Sequence, residues 1–194
     1  MRKAIIIFIR NPILGKVKTR LAMSIGNEAA LKVYIKLLQR TNVITKDLEC
    51  EKYIFYADGI NKTDSWNDQV YTKVEQGEGE LGQKMTAAFK HAFNKNAEEV
   101  LIIGSDCYDL SQKVIEAAFI ALKEADIVIG PAADGGYYLL GMKMLCPDLF
   151  KNINWSTDTV LKETIAVCDN LELHYFLLPV LKDVDRQEDI GFKY

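Results

Sequence analysis

Short apolar runs and longer amphipathic stretches alternate along the chain. The runs AIIIFI (4–9), KYIFYA (52–57), EVLIIG (99–104), ADIVIG (125–130), YYLLGM (137–142) and ELHYFLLP (172–179) have strand length, and AIIIFI is apolar at every position. Continuous runs of that kind suit strands covered on both faces. VYTKVEQ (70–76) is a weaker short strand. Between the runs the period changes to that of a helix. In EAALKVYIKLLQRT (28–41), Ala30, Val33, Tyr34, Leu37 and Leu38 form one stripe, and Asn27 is placed to cap it. ELGQKMTAAFKHAFNK (80–95), QKVIEAAFIALKE (112–124, capped by Ser111) and TDTVLKETIAVCDN (157–170) are further helices. The polar stretch 58–69 is a loop.

Strands alternating with helices predict an α/β domain around a largely parallel sheet. One connection breaks the pattern. Only Pro131 to Gly136 separate ADIVIG from YYLLGM. A parallel crossover needs a dozen residues or more, so these two strands are expected to be antiparallel and the sheet mixed. No repeat or linker divides the chain, which is expected to form a single domain over 1–194.

Composition changes this picture little. Apolar residues make up 49% and charged residues 26%, ordinary for a soluble domain. A net charge of −3 argues against a nucleic-acid binder. Cys50, Cys107, Cys146 and Cys168 form no C-x-x-C pair, and two histidines are too few for a zinc cluster. Reduced thiols in a cytoplasmic protein are expected. The start MRKAIIIFIRNP lacks the length and cleavage site of a signal peptide, and no run is long enough to span a membrane.

Against that acidic background, GKVKTR (15–20) sets Lys16, Lys18 and Arg20 two residues apart after the first strand. In an extended segment all three would face one point, where an anion would relieve their repulsion. The P-loop pattern is missing, but a Gly-containing cationic loop still suits a diphosphate or triphosphate. A solvated basic turn would carry the same residues. GEGELG (77–82) matches the dinucleotide fingerprint G-x-G-x-x-G, yet it lies mid-chain after a weak strand and carries two glutamates. It fits better as a turn, or as a glycine loop approaching a nucleobase.

Three acidic segments complete the candidate chemistry. Asp106 in GSDC directly follows a buried strand, where a hard cation such as Mg²⁺ or Mn²⁺ would offset its desolvation. A turn or helix cap is the alternative. GPAADGGYY (130–138) joins Asp134 to Gly135 and Gly136, which permit positive φ and close approach, and is also a hairpin signal. In DVDRQED (183–189), Asp183 and Asp185 alternate and could join Asp106 at a metal, or simply form an acidic face.

NPILGKVKTRLA, GELGQKM, LIIGSDC, GPAADGGYYLLG, INWST and DVDRQEDI occur in the order seen in the DUF2064 family, and the chain resembles that family from about residue 4 to 190. The family is a branch of the glycosyltransferase-A, or nucleotide-diphospho-sugar transferase, superfamily. It also looks like the small nucleotidyltransferases acting on molybdopterin or phospholactate. The resemblance implies a three-layer α/β/α sandwich with a mixed, mostly parallel sheet. It implies that Gly15, Lys16, Lys18 and Arg20 surround the donor phosphates and that Gly79 and Gly82 contact the base. Asp106, Asp183 and Asp185 would hold Mg²⁺ or Mn²⁺. Gly135, Gly136, Tyr137, Trp155, Ser156 and Thr157 would lie by the sugar or acceptor, with core packing an equal alternative for Trp155. Asp106, Lys18 and Arg20 would be catalytic, and Asp134 is a general-base candidate on position alone. Tyr108 stands where the family usually has Pro, which predicts a less rigid loop and an altered acceptor pocket. A DxD directly after the fourth strand is missing; Asp109 stands three places beyond Asp106.

Three functions follow. The first is glycosyl transfer from a nucleotide-sugar to a small acceptor. The second is nucleotidyl transfer from a nucleoside triphosphate with release of pyrophosphate. The third is nucleotide binding without catalysis.

Overall fold

A computed structural model describes all 194 residues. The chain runs β1 (Lys3–Ile9), α1 (Thr19–Ile25), α2 (Asn27–Thr45), β2 (Glu51–Tyr56), β3 (Thr72–Glu75), α3 (Leu81–Asn94), β4 (Glu99–Ile103), α4 (Gln112–Ala121), β5 (Ile127–Pro131), β6 (Tyr137–Met142), α5 (Val160–Asn170) and β7 (Tyr175–Leu177). The seven strands form one sheet in the order β3-β2-β1-β4-β6-β5-β7. β6 runs antiparallel to both β4 and β5, and the remaining pairs are parallel. The short connection from 131 to 136 therefore makes the antiparallel hairpin expected of it.

Strand periodicity sorts the core into two layers. On one face Ile5 and Ile7 of β1 pack in a cluster with Tyr34 and Leu38 of α2 and Ile115 and Phe119 of α4. On the other, Ala4 and Ile6 join Met85 and Phe89 of α3 and Cys168 of α5. Helices thus cover both faces of the sheet, the three-layer arrangement expected. Every residue of the predicted α2 stripe is buried. No helix is long and apolar enough to cross a membrane.

Local expectations fail at three places. Gly26, not Asn27, is the N-cap of α2, and Asn27 is its first helical residue. The last strand shrinks to three residues at the sheet edge, although Leu178 still donates to the Ile129 carbonyl (2.9 Å). The segment 16–20 is not extended. It turns at 13–16 and enters α1, a short helix that apolar periodicity over seven residues did not reveal. Leu21 of α1 packs with Ala30, Val33 and Leu37 of α2 and with Val184 near the C-terminus, so the cation segment is buttressed from behind.

Candidate functional site

β1 to β4 are mutually parallel and end on the same side of the sheet. Beyond their carboxyl ends lies an open cleft of about 860 Å³, the usual position for a ligand in an open α/β sheet. Its wall begins with Phe8 to Arg10 at the end of β1, Ala57 after β2, Gln76 after β3 and Gly104 to Asp106 after β4.

Lys18 sits at the base of the cation segment, in the left-handed conformation (φ 47°, ψ 46°) and just before α1. That conformation is unusual for a side chain with a Cβ. It turns the lysine inward. The side chain is only 6% exposed, and Nζ lies 3.0 Å from Asp106 Oδ1 and 3.1 Å from Asp185 Oδ1. Burial alone would push the ammonium pKa down; Asp106 and Asp185 overcome it and hold it above its ordinary value. Arg20 approaches Asp185 at 3.8 Å but is 72% exposed. Lys16 is exposed and lines the cleft. The three cations share the cleft without converging on one point, because the chain coils through them instead of extending.

The C-terminal segment reaches the cleft along the end of β5. Leu181 donates to the Pro131 carbonyl (3.1 Å), Ala133 donates to Leu181 (2.9 Å), and Val184 donates to the Asp106 carbonyl (2.9 Å). Asp189 Oδ2 then accepts from the Asp185 and Arg186 amides, at 3.0 and 2.7 Å. These bonds hold Asp183 and Asp185 beside Asp106, from a distant part of the sequence. Burial, followed by Asp106 and Asp134, pushes the Asp183 carboxyl up to about 7, with Lys18 pulling it the other way. No three acidic, Cys or His side chains close around a common point at ligating range. The lysine stands between Asp106 and Asp185, so the three aspartates meet in one cleft without forming a cage. Their chemistry still fits a hard divalent cation. All the donors are carboxylate oxygens, and a cation would offset the mutual repulsion that Asp183 registers.

The glycines divide differently from expectation. Gly15 has φ 74° and turns the chain outside the cleft wall. Gly82 is buried. A Cβ there would come within 2.8 Å of the Phe150 carbonyl and 2.9 Å of the Trp155 ring. The glycine therefore serves the packing of α3 against Trp155, not the approach of a base. The space beside Gly79 (φ 103°) is taken by the Gln83 side chain, whose Oε1 accepts from the Glu80 amide (3.0 Å) in a capping box for α3. Neither Gly79 nor Gly82 lines the main cleft. Gly135 (φ 91°) abuts the backbone of Asp158, leaving no room for any Cβ, and its carbonyl accepts from Leu161 (2.9 Å) at the start of α5. Gly136 and Asp134 do line the cleft, and Asp134 Oδ1 accepts from the Gly136 amide (3.0 Å). Tyr137, Trp155, Ser156 and Thr157 also line the cleft. Trp155 both packs on Gly82 and lines the cleft.

Gln76 was not singled out from sequence. It is 8% exposed, its Nε2 donates to the Phe55 carbonyl (3.0 Å), and it lines the cleft. That bond fixes the amide so that Oε1 is the atom left to accept from a ligand. Its only signal was a polar residue ending a weak strand. Tyr108, the departure from the family pattern, stacks on Phe192 (3.8 Å between centroids), and Arg40 donates to the Tyr108 and Leu110 carbonyls at 3.2 and 3.1 Å. The loop after Asp106 is thus tied down by contacts where a proline was expected to stiffen it.

The chain is similar to the solved structure of a protein from Desulfovibrio desulfuricans G20, provisionally named a nucleotide-diphospho-sugar transferase. Identity is 31% over 96% of this chain and 84% of that one, with a TM-score of 0.88. Two more distant structures share the fold alone. CMP:2-keto-3-deoxy-manno-octonic acid synthetase complexed with CTP is 8% identical over 97% of this chain and 95% of its own, with a TM-score of 0.55. Rv0371c from Mycobacterium tuberculosis H37Rv, in complex with manganese, is 11% identical over 97% and 96%, with a TM-score of 0.51. No curated protein matches the chain. The family model described as "uncharacterized protein conserved in bacteria (DUF2064)" matches residues 40–157, more than half of the sequence, and the chain belongs to the DUF2064 family.

Proposed function

We propose that the chain is a single transferase domain that moves a glycosyl group from a nucleotide-sugar to a small acceptor, with Mg²⁺ or Mn²⁺ bound at Asp106, Asp183 and Asp185. The observation that carries this is the charge around the cleft. Four cations, Arg10, Lys16, Lys18 and Arg20, face five aspartates, 106, 134, 158, 183 and 185. With one divalent ion added, the two charges of a nucleotide-sugar's diphosphate leave the cleft about one charge from neutral; the four of a nucleoside triphosphate leave it about three. The name given to the D. desulfuricans relative supports the same donor class.

Bound there, the ion would offset the charge that builds on the departing nucleoside diphosphate. Lys18 and Arg20, beside the same carboxylates, would do the same. Gln76 Oε1 would accept a hydrogen bond from the base, taking the part first given to Gly79 and Gly82. Tyr137, Trp155, Ser156 and Thr157 would hold the sugar and acceptor. Asp134, which lines the same cleft, would take the acceptor's proton.

Thermal shift with nucleotide-sugars and nucleoside triphosphates, each with and without Mn²⁺, tests the assignment. A ligand at ~100 times its Kd stabilises by about 2.7 kcal/mol. The expected result is a Mn²⁺-dependent response to one nucleotide-sugar, followed by loss of its sugar to an acceptor. A stronger response to a triphosphate than to every nucleotide-sugar would replace glycosyl by nucleotidyl transfer. That alternative rests on the triphosphate-compatible set of three basic residues in one short segment.

A further inference from the structure

We propose that Lys18 is a resident counter-cation: it occupies Asp106 and Asp185 in the resting protein and must leave them before they can hold a divalent ion, so that the ion and a polyphosphate bind cooperatively. This rests on the nucleotide-and-metal assignment above and adds an order of events to it. Lys18 Nζ stands 3.0 and 3.1 Å from one oxygen each of Asp106 and Asp185, and so already uses oxygens a divalent ion held by those carboxylates would need. An ammonium and a divalent ion cannot both hold those oxygens.

The arrangement is held at a cost. Lys18 adopts a left-handed backbone that disfavours any residue with a Cβ, and its charge lies at the start of a helix, the end that repels cations. Two carboxylates offset this. Their side chains are 45% and 40% exposed and face the cleft, while the lysine between them is 6% exposed. The carboxylates can therefore meet a new cation from the cleft side, but only if the ammonium moves.

A polyphosphate gives it somewhere to go. Lys16 and Arg20, both exposed and lining the same wall, flank the position and would draw phosphate oxygens toward Lys18. Phosphate then takes the ammonium, and the freed carboxylates take the ion. Each ligand removes an obstacle to the other, and by linkage the gain is the same in both directions.

Calorimetric titration of Mn²⁺ alone into the parent, Lys18→Met and Arg20→Met tests this. Both variants remove one positive charge beside Asp185, but only Lys18→Met vacates the carboxylate pair. Expected is weak binding to the parent, binding at least ~10-fold tighter to Lys18→Met, and a gain below about 5-fold for Arg20→Met, the scale of an exposed pair. Adding pyrophosphate should tighten Mn²⁺ binding to the parent more than to Lys18→Met. Equal gains in the two variants, or tight Mn²⁺ binding by the parent alone, overturn the proposal and leave the metal assignment standing. No Mn²⁺ binding by any of the proteins, even with a nucleotide present, overturns both. Should Lys18→Met fail to fold, the parent decides the matter by ¹⁵N-lysine spectroscopy with Mg²⁺ and pyrophosphate. The Lys18 ammonium resonance should move when both are present. A resonance that stays fixed while calorimetry shows the ion bound rules out the exchange.

Discussion

Lys18 and Lys73 are both buried between two aspartates, and their surroundings differ. Lys73 Nζ lies 2.9 Å from Asp64 and 2.9 Å from Asp68 and also donates to the Asn61 carbonyl (3.3 Å). Asp64 is only 12% exposed, and its remaining oxygen capacity is used: Oδ1 accepts from the Trp66 amide (3.1 Å) and Oδ2 from the Tyr56 hydroxyl. The whole group pins the polar loop 58–69 against β2 and β3. Around Lys18 the two aspartates are 40–45% exposed, a third carboxyl stands nearby with its pKa raised, and an open cleft lies in front. In the first cluster Asp64 is closed off and satisfied, and Asp68, though 74% exposed, lies outside the main cleft. The other keeps carboxylate oxygens open to the cleft. Ion-pair count alone would rate them alike; what separates a site from a clamp is that both aspartates of the pair line the cleft.

The contrast breaks first at Lys73. Lys73→Met leaves Asp64 buried without its cation, which should cost about 3–5 kcal/mol of stability in urea unfolding. Nucleotide-dependent stabilisation should persist in the folded fraction. A loss under ~1 kcal/mol would mean that the two clusters do not differ in kind.

Asp106→Asn should reverse that pattern. Under the proposed function, transfer should fall by on the order of 100-fold or more, the scale for removing a preorganised stabiliser of developing charge. Stability should change by less than ~1 kcal/mol, because Asp106 is half exposed and Lys18 keeps Asp185. From sequence, removing one of three mutually repelling carboxylates would be expected to stabilise the resting protein. With Lys18 already between two of them, that gain disappears. Kinetics and urea unfolding on one preparation separate the outcomes, and near-parental turnover would remove Asp106 from the site.

How these residues reach the cleft was only partly legible in the sequence. Strand and helix order and the antiparallel hairpin were legible because each rests on local periodicity or on the length of one connection. Asp106 and the 183–185 segment could be nominated because acidic residues beside apolar strands are costly to place. The pairing with Lys18 was not legible. It depends on a left-handed residue and a seven-residue helix, and neither leaves a periodic signal. Gly79 and Gly82 misled for a related reason. A glycine reports that something comes close, and here the neighbours are Gln83, Phe150 and Trp155 rather than a ligand. Gln76 carried no pattern because its role comes from one bond to the Phe55 carbonyl across the sheet.

A smaller effect is expected at that residue. Gln76→Leu removes the fixed acceptor from the cleft and should weaken donor binding by ~1 kcal/mol, roughly 5-fold, with turnover at saturation little changed. Unchanged donor affinity would move the base elsewhere in the cleft.

The smallest effect concerns a basic group with no carboxylate at all. His91 of α3 lies edge-on to Tyr53 and Phe55, with ring centroids 5.3 and 5.7 Å away, and its Nε2 is buried without a hydrogen-bond partner. Burial, with Lys95 adding to it, lowers its pKa. The folded protein therefore resists protonating His91, while the unfolded chain accepts a proton near its ordinary pKa of about 6.5. Above that value both states are neutral and the group contributes no pH dependence. As pH falls below it, the unfolded state binds the proton first and stability drops, until the folded-state pKa is reached and the loss levels off. His91→Phe keeps a ring against Tyr53 and Phe55 and removes the titration. Between pH 8 and 5.5 its Tm should fall less than the parent's, by about 2 °C or less. Parallel Tm profiles would show that His91 escapes its burial cost, and an unpartnered basic residue would then be no guide to what Asp106 and Asp185 do for Lys18.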